Sequence, residues 1–426
     1  MAIFDTDAYA AALKIKYGPS LVRQVSDKIT ALKLFGTSRD EWEGLRVQFP
    51  VQIGRGQSFM AHGSLGLLPT PANETTAEVQ IPVRWIRGRI QFEIAVMKAS
   101  VRSSGAFARA NDLLMRSLVT NIADEKNRML SSGSGTGVLC LVDVAGVGTT
   151  TLTVDAPGGI ASDVYGARFL QPGMIIAIHD GTTISAVRTI VSVATNQESV
   201  VLDNAVSAAE APNNAFVVRA ANPSVTNLTR DTSYNNEPMG LQGIDDDGTL
   251  VGTFHNINRT TYPDFAATRI SSTSLSLDAL QRLTDTVDQV SGEDVTDHLV
   301  HHSGRRLYLA LIDASRVFMQ TGKVGTFDLG QEPMGKVVEY NGYPVHTDKD
   351  AIIGDWLAIN KNNLTRYVLV DGEWAEETGS MFRAVSGQDA LEAIYRCADN
   401  YSTDRPNSHG KLTGMTVTNG LVRHVR

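Results

Sequence analysis

The densest set of potential metal ligands in the chain is Asp294, Asp297, His298, His301 and His302. His298 and His302 stand four residues apart, the spacing that places two imidazoles on one helical face. There they would bind a divalent cation, and the chain would be a metal-dependent hydrolase. Read as a strand, the same segment sends His301 and His302 to opposite faces. The strand fits better, because Ser303 sits where the cap of a following helix belongs, and the histidines then occupy an ordinary strand-to-helix junction.

Other motifs fail on chemistry. Gly330-Gln331-Glu332-Pro333-Met334-Gly335-Lys336-Val337 approaches a phosphate-binding loop. However, Val337 has no hydroxyl for magnesium, Pro333 lacks an N–H and Glu332 puts a carboxylate where phosphate would sit. Gly133-Ser134-Gly135-Thr136-Gly137 follows a helix, so it is no dinucleotide fingerprint. Asp245-Asp246-Asp247-Gly248 suggests calcium, but aligned on Gly248 the first ligand position falls on Gly243 and the last on Phe254. An Asp-Gly turn explains it. His62 precedes Gly63-Ser64-Leu65-Gly66 where a nucleophile elbow needs Gly. No catalytic, metal or cofactor site is expected, and the chain reads as a non-enzyme.

The elements that would have to position any site come from 426 residues, enough for about three domains. Hydrophobic residues make up 42% and charged residues 20%, and the mean hydropathy is -0.10, which excludes a disordered chain. A net charge of -8 opposes phosphate binding, so a sequence-reading DNA binder is excluded. Cys140 and Cys397 are too few for a disulfide framework and too far apart for a CxxC pair, which points to a reducing compartment. The start, Met1-Ala2-Ile3-Phe4-Asp5, has no basic region, and no apolar run approaches the roughly 18 residues that span a bilayer. Neither a secretory signal nor membrane insertion is expected.

Alternating apolar residues predict strands through Val47, Phe49, Val51 and Ile53, through Val79, Ile81 and Val83, and through Ile90, Phe92, Ile94 and Val96. The Gly/Ser/Pro/Thr-rich stretch 54–76 reads as a mobile hairpin tip. Pro50 and Pro82 make both flanking strands edges or a ribbon, which needs another surface to lie on. A helix is expected from Ser103 to Ser131, its charged Arg109, Arg116, Asp124, Glu125, Lys126 and Arg128 facing solvent. Residues 131–137 read as a flexible Gly/Ser linker. Short strands then follow, separated by Pro172-Gly173, Asp180-Gly181 and Asn213-Asn214, and suggest a small barrel or sandwich. Helices are predicted over 275–290 and from Ser303 towards Met319, with a strand at 297–302 between them. Val337 to Val345 forms a hairpin turning on Asn341-Gly342, and a long strand runs from Ala390 to Tyr401. The class is α+β.

Several segments resemble one family. They are Gly240-Leu241-Gln242-Gly243-Ile244 before Asp245-Asp246-Asp247-Gly248, the strand and helix from Asp297 to Met319, and the hairpin ending Gly342-Tyr343-Pro344-Val345. The ending Asp404-Arg405-Pro406-Asn407 with Gly410-Lys411-Leu412 belongs to the same set. In this order they resemble the major capsid proteins of tailed double-stranded DNA bacteriophages, with the Hong Kong 97-type fold. The resemblance implies an N-terminal arm (1–44), an extended loop (45–97), a peripheral domain with a spine helix (98–135), and an axial domain (223–379). Residues 380–426 would return to the peripheral domain, and the β-rich insertion (136–222) would project from the shell.

It also implies a structural subunit that assembles with itself into hexamers and pentamers of an icosahedral head, built in the host bacterial cytoplasm and found in the virion. The shell would enclose DNA without sequence-specific binding. Implied partners are a separate scaffolding protein, because the arm is too short to carry a fused one, a portal and a decoration protein. Some members of the family crosslink an extended-loop Lys to a neighbour's Asn. No Lys lies between Leu45 and Met97 here, so a non-covalent shell is expected. Arg84, Arg87 and Arg89 are the candidate inter-subunit contacts. An encapsulin-like nanocompartment shell is the alternative within the same fold.

Overall fold

A computed structural model describes residues 29–38, 42, 44–54, 56–64, 66–94, 104–160, 165–316, 338–376 and 380–417, with the side chains of 104–113 and 313–316 outside that coverage. The phosphate-loop-like segment 330–337 lies outside the described residues.

After a short strand β1 (Gly36–Thr37), β2 (Arg46–Gly54) and β3 (Thr75–Pro82) pair antiparallel as a sheet of their own, Phe49 opposite Val79. The ribbon lays its alternating apolar face on a cluster that includes Phe254, Phe265 and Tyr401, which buries Val79 and Ile81 completely. β4 (Arg84–Glu93) does not extend this ribbon. It runs antiparallel to β20 (Ala390–Thr403), Arg84 opposite Asp399 and Glu93 opposite Ala390. The expected loop 45–97 is therefore two pieces, a ribbon and a strand of the main sheet. Gly88 lets the helix approach β4 here, for a Cβ would come within 2.8 Å of Leu118.

α1 (Ser104–Ser131) has 28 residues and is about 42 Å long. Its last turns are not a solvated face. Asp124, Lys126 and Arg128 are buried, because the main sheet, a barrel and the second sheet surround them. The following Ser131, Ser132 and Ser134 are buried as well, so the expected flexible linker is a packed crossing. Small residues are needed there: at Gly137, with φ +75, a Cβ would lie 1.9 Å from the Ser233 carbonyl.

The barrel consists of β5 (Val138–Val142), β6 (Thr149–Asp155), β7 (Ile175–His179), β8 (Ile184–Val193), β9 (Ser199–Val206) and β10 (Phe216–Arg219). They close in the order β10-β5-β6-β9-β8-β7 around Leu139, Leu152, Ile176, Ile178, Val200 and Val217. Entry and exit run side by side, with the Asn235 N–H donating to the Thr136 carbonyl at 2.8 Å.

The polar exit contains α2 (Leu228–Asp231) and leads to α3 (Leu241–Ile244) and a tight hairpin of β11 (Thr253–Phe254) and β12 (Ile257–Asn258). A second sheet follows, built from β13 (Thr268–Ser271), β14 (Asp297–His301), β15 (Val338–Tyr340), β16 (Tyr343–Asp348), β17 (Trp356–Ile359) and β21 (Gly410–Thr413). Its order is β13-β21-β17-β14-β16-β15. α4 (Leu277–Ser291) is capped by the Ser276 side chain, which accepts from the Ala279 N–H, and it ends on left-handed Gly292. It packs Leu283 and Val287 on Gly410. α5 (His302–Arg316) follows β14 directly. The first sheet takes β1, β18 (Leu364–Trp374), β20, β19 (Arg383–Ala384) and β4.

Candidate assembly surface

The histidine segment is a strand followed by a helix. His298 lies in β14 and its Nδ1 accepts the Trp356 indole N–H at 3.1 Å, between the Tyr340 and Trp356 rings. His302 opens α5, so the two imidazoles do not share a helical face. Burial lowers His298 to about 4 and His301 to about 2, which keeps both neutral packing groups. Asp297 pairs instead with His346 on β16, at 2.7 Å. Among the described residues, no group of three or more His, Cys, Asp or Glu is placed to hold a metal ion.

Asp245, Asp246 and Asp247 are structural too. Asp246 accepts the N–H groups of Gly248, Leu250 and Val251 at 2.9 Å each and the Lys411 ammonium at 3.0 Å. Despite its burial, the lysine and these amides hold it below the usual carboxylate range. Asp245 is fully buried, and desolvation raises its acid well above that range.

Alternation along β4 divides the three arginines between two faces. Arg87 and Arg89 point outward with Trp85: Arg87 lies over the Trp85 ring at 5.0 Å, and Arg89 pairs with Glu392 at 2.6 Å. Arg84 faces inward and lines a cavity of about 230 Å³ with Gln80, Glu237, His255 and Asn400. Burial there lowers its pKa. The base of the ribbon is tied down at the same place, by the Gln80 N–H to the His255 carbonyl at 2.9 Å and by Asn400 Nδ2 to the Pro82 carbonyl at 2.7 Å.

At the opposite end, the ribbon tip exposes large apolar side chains: Phe59 at 77%, Met60 at 59%, Leu67 at 91% and Leu68 at 82%. Leaving such groups in water costs on the order of 2 kcal/mol each relative to burial. Large apolar groups left bare on one loop mark a candidate interaction surface.

No family model matches the chain, and no curated protein matches it either. Among solved structures, a chain of the cyanophage A-1(L) capsid asymmetric unit is 12% identical, with 96% of this chain and 99% of that one covered and a TM-score of 0.54. This chain has the fold of a phage capsid protein. A chain from Mycobacterium phage Bobi is 10% identical, covering 97% and 99%, at a TM-score of 0.43. The holo-SrpI encapsulin of Synechococcus elongatus is 8% identical, covering 98% of each chain, at 0.44.

On this capsid fold, the residues that reasoning from sequence overlooked are the apolar tip and Trp85. The signal was present as Phe59-Met60 and Leu67-Leu68 within a Gly/Ser/Pro-rich stretch that has no period to bury them.

Proposed function

We propose that the protein is a structural shell subunit, the major capsid protein of a tailed double-stranded DNA phage, and that its copies form the hexamers and pentamers of an icosahedral head. The observation that carries the reading is the β2–β3 ribbon: on a capsid fold, it ends in four exposed apolar side chains that its own chain leaves uncovered among the described residues. A neighbouring copy supplies the missing surface. The net charge of -8 suits a container that holds DNA without gripping it. Arg87 and Arg89, on the outward face of β4, are assigned to contacts between copies, whereas Arg84 turns into its own chain at the ribbon base and is not. Scaffolding, portal and decoration proteins complete the assembly in the host cytoplasm. No lysine stands in 45–97, so the shell is held without covalent crosslinks from this loop.

The test is electron microscopy and sedimentation of the expressed protein, beside a variant with Phe59, Met60, Leu67 and Leu68 all changed to Ser. The wild type should form rings, sheets or shells, and the variant should stay as subunits with an unchanged circular dichroism melt. A wild type that remains monomeric at tens of micromolar, with and without its scaffold, would overturn the reading. Particles filled with protein cargo instead of DNA would replace it with an encapsulin.

A further inference from the structure

Among the described residues, the barrel is joined to the rest of the chain at its linkers, where Arg219 of β10 also comes within 4.0 Å of Glu125 of α1, and again at a second, separate place. The first attachment is the paired linkers at Thr136 and Asn235. Two strands held side by side make a hinge, about which the barrel could swing. The second attachment lies elsewhere in the barrel, in the short turn Gly166–Phe169 and at Gly158. Arg168 Nη2 donates to two carbonyls of the turn after β16, Lys349 at 2.7 Å and Ala351 at 3.1 Å. Phe169 is 2% exposed, and its ring carries the Arg168 guanidinium at 4.9 Å and the Arg128 guanidinium of α1 at 5.7 Å. Arg128 is itself fixed by Glu125 at 2.7 Å and Glu237 at 2.5 Å. Gly158 sits so close to the end of α1 that a Cβ would lie 2.8 Å from the Ser132 carbonyl, and 3.7 Å from Ile352 Cδ1 in the second sheet's turn.

The turn is gripped from α1 as well. Asn127 Nδ2 donates to Asp348 at 2.9 Å and to Asp350 at 3.0 Å, and Lys349 Nζ to Asp124 at 2.5 Å. The Ala31 N–H reaches Asp348 from the N-terminal side at 3.3 Å. Residues 347–351 are therefore the place where α1, the barrel and the second sheet meet.

We infer that the barrel is an internal brace: through Arg168 and Phe169 it locks the 347–351 turn against α1 and so sets the angle between the first-sheet body and the second sheet. A projecting insertion needs no contact with this turn, whereas a brace must contact both bodies at a point away from its linkers. In a shell, that angle governs how neighbouring subunits tilt, so the barrel sets curvature from within each subunit.

The test is hydrogen exchange on the unassembled full chain, which reads the brace whether or not the protein builds shells. Arg168→Ala should speed exchange of amides in 347–353 at least tenfold, with β6 and β9 as protected as in wild type. Arg188→Ala, whose lost contacts (Glu210 at 2.7 Å and the Val187 and Ala205 carbonyls at 3.0 and 3.2 Å) all lie within the barrel, should leave 347–353 unchanged. Should Arg168→Ala also lose barrel protection, Phe169→Leu, which keeps the apolar volume, decides by the same tenfold criterion. Exchange within twofold of wild type in the deciding variant overturns the brace.

Discussion

Asp399 is where α1 is fastened to the first sheet, and removing it isolates one mechanism. The carboxylate is fully buried, and its Oδ2 accepts Lys126 Nζ at 2.7 Å, Arg366 Nη2 at 2.7 Å and the Tyr401 hydroxyl at 3.1 Å. Arg366 keeps a second partner in exposed Asp371, but Lys126, its side chain 7% exposed, has no other acceptor among the described residues. Asp399→Ala therefore leaves a buried ammonium without a counter-charge, a loss of about 3 to 5 kcal/mol. Lys126→Met removes one partner and leaves the carboxylate neutralised by Arg366, so it should cost about 1 to 2 kcal/mol. The double variant should cost less than the sum by at least about 1 kcal/mol, because the stranded charge is gone. Urea unfolding of the four proteins, followed by circular dichroism, gives the cycle. A coupling near zero, or an Asp399→Ala loss under about 1 kcal/mol, would refute the view that α1 is held by this pair and would assign its docking to apolar packing on Gly88.

Three further outcomes are expected. The Asp348 acid is pushed up to about 6, first by burial and then by the neighbouring Asp350 charge, with Asn127 and Lys349 partly offsetting both. A carboxyl raised above its unfolded value stabilises the fold while protonated, so wild-type stability should fall as pH rises from about 4 through 6, by up to about 3 kcal/mol. Asp348→Asn should then gain on wild type in urea midpoint as pH rises from about 4 to about 6.5, and a pH-independent difference would reject the assignment. Gly240→Ala should destabilise by about 3 kcal/mol or more, because its Cβ would meet the Met129 and Gly133 carbonyls at 2.2 and 2.3 Å, both backbone atoms that cannot rotate away. Gly342→Ala has open space and only its φ of +83 to strain it, so it should cost about 1 kcal/mol, and equal melting temperatures for the two would contradict this. Finally, assembled particles should dissolve to monomer-sized bands in denaturing gels, and a ladder would reveal crosslinks.

Local patterns were read well where each element carries its own signal. α4 has an apolar stripe, a Ser276 cap and a Gly292 stop, and it forms over 277–291. The Asn341-Gly342 turn takes positive φ at both residues, as a type I′ hairpin requires. The histidine segment is the expected strand, but the helix after it begins at His302, one residue before the Ser303 expected to cap it. Less was legible where the partner is distant. β4 looks like a third strand of the ribbon, yet it pairs with β20 about three hundred residues later, and no local periodicity encodes that choice. For the same reason the charged stripe of α1 read as solvated, although Lys126, Asn127 and Arg128 each meet their partners on other elements.

By itself the sequence determined the class of elements, the absence of a recognisable catalytic motif, the apolar filling of the barrel strands and the order of segments that resembles a capsid protein. These depend on spacing and side-chain type along a few residues, which water and backbone geometry read directly. The tertiary structure alone decided where the polar groups go. It gave the buried acids their counter-charges, divided Arg84 from Arg87 and Arg89, left the tip of the ribbon bare and set Arg168 on the 347–351 carbonyls. Burial and pairing belong to the whole packed chain, since a charge is exposed or neutralised only by what folds around it.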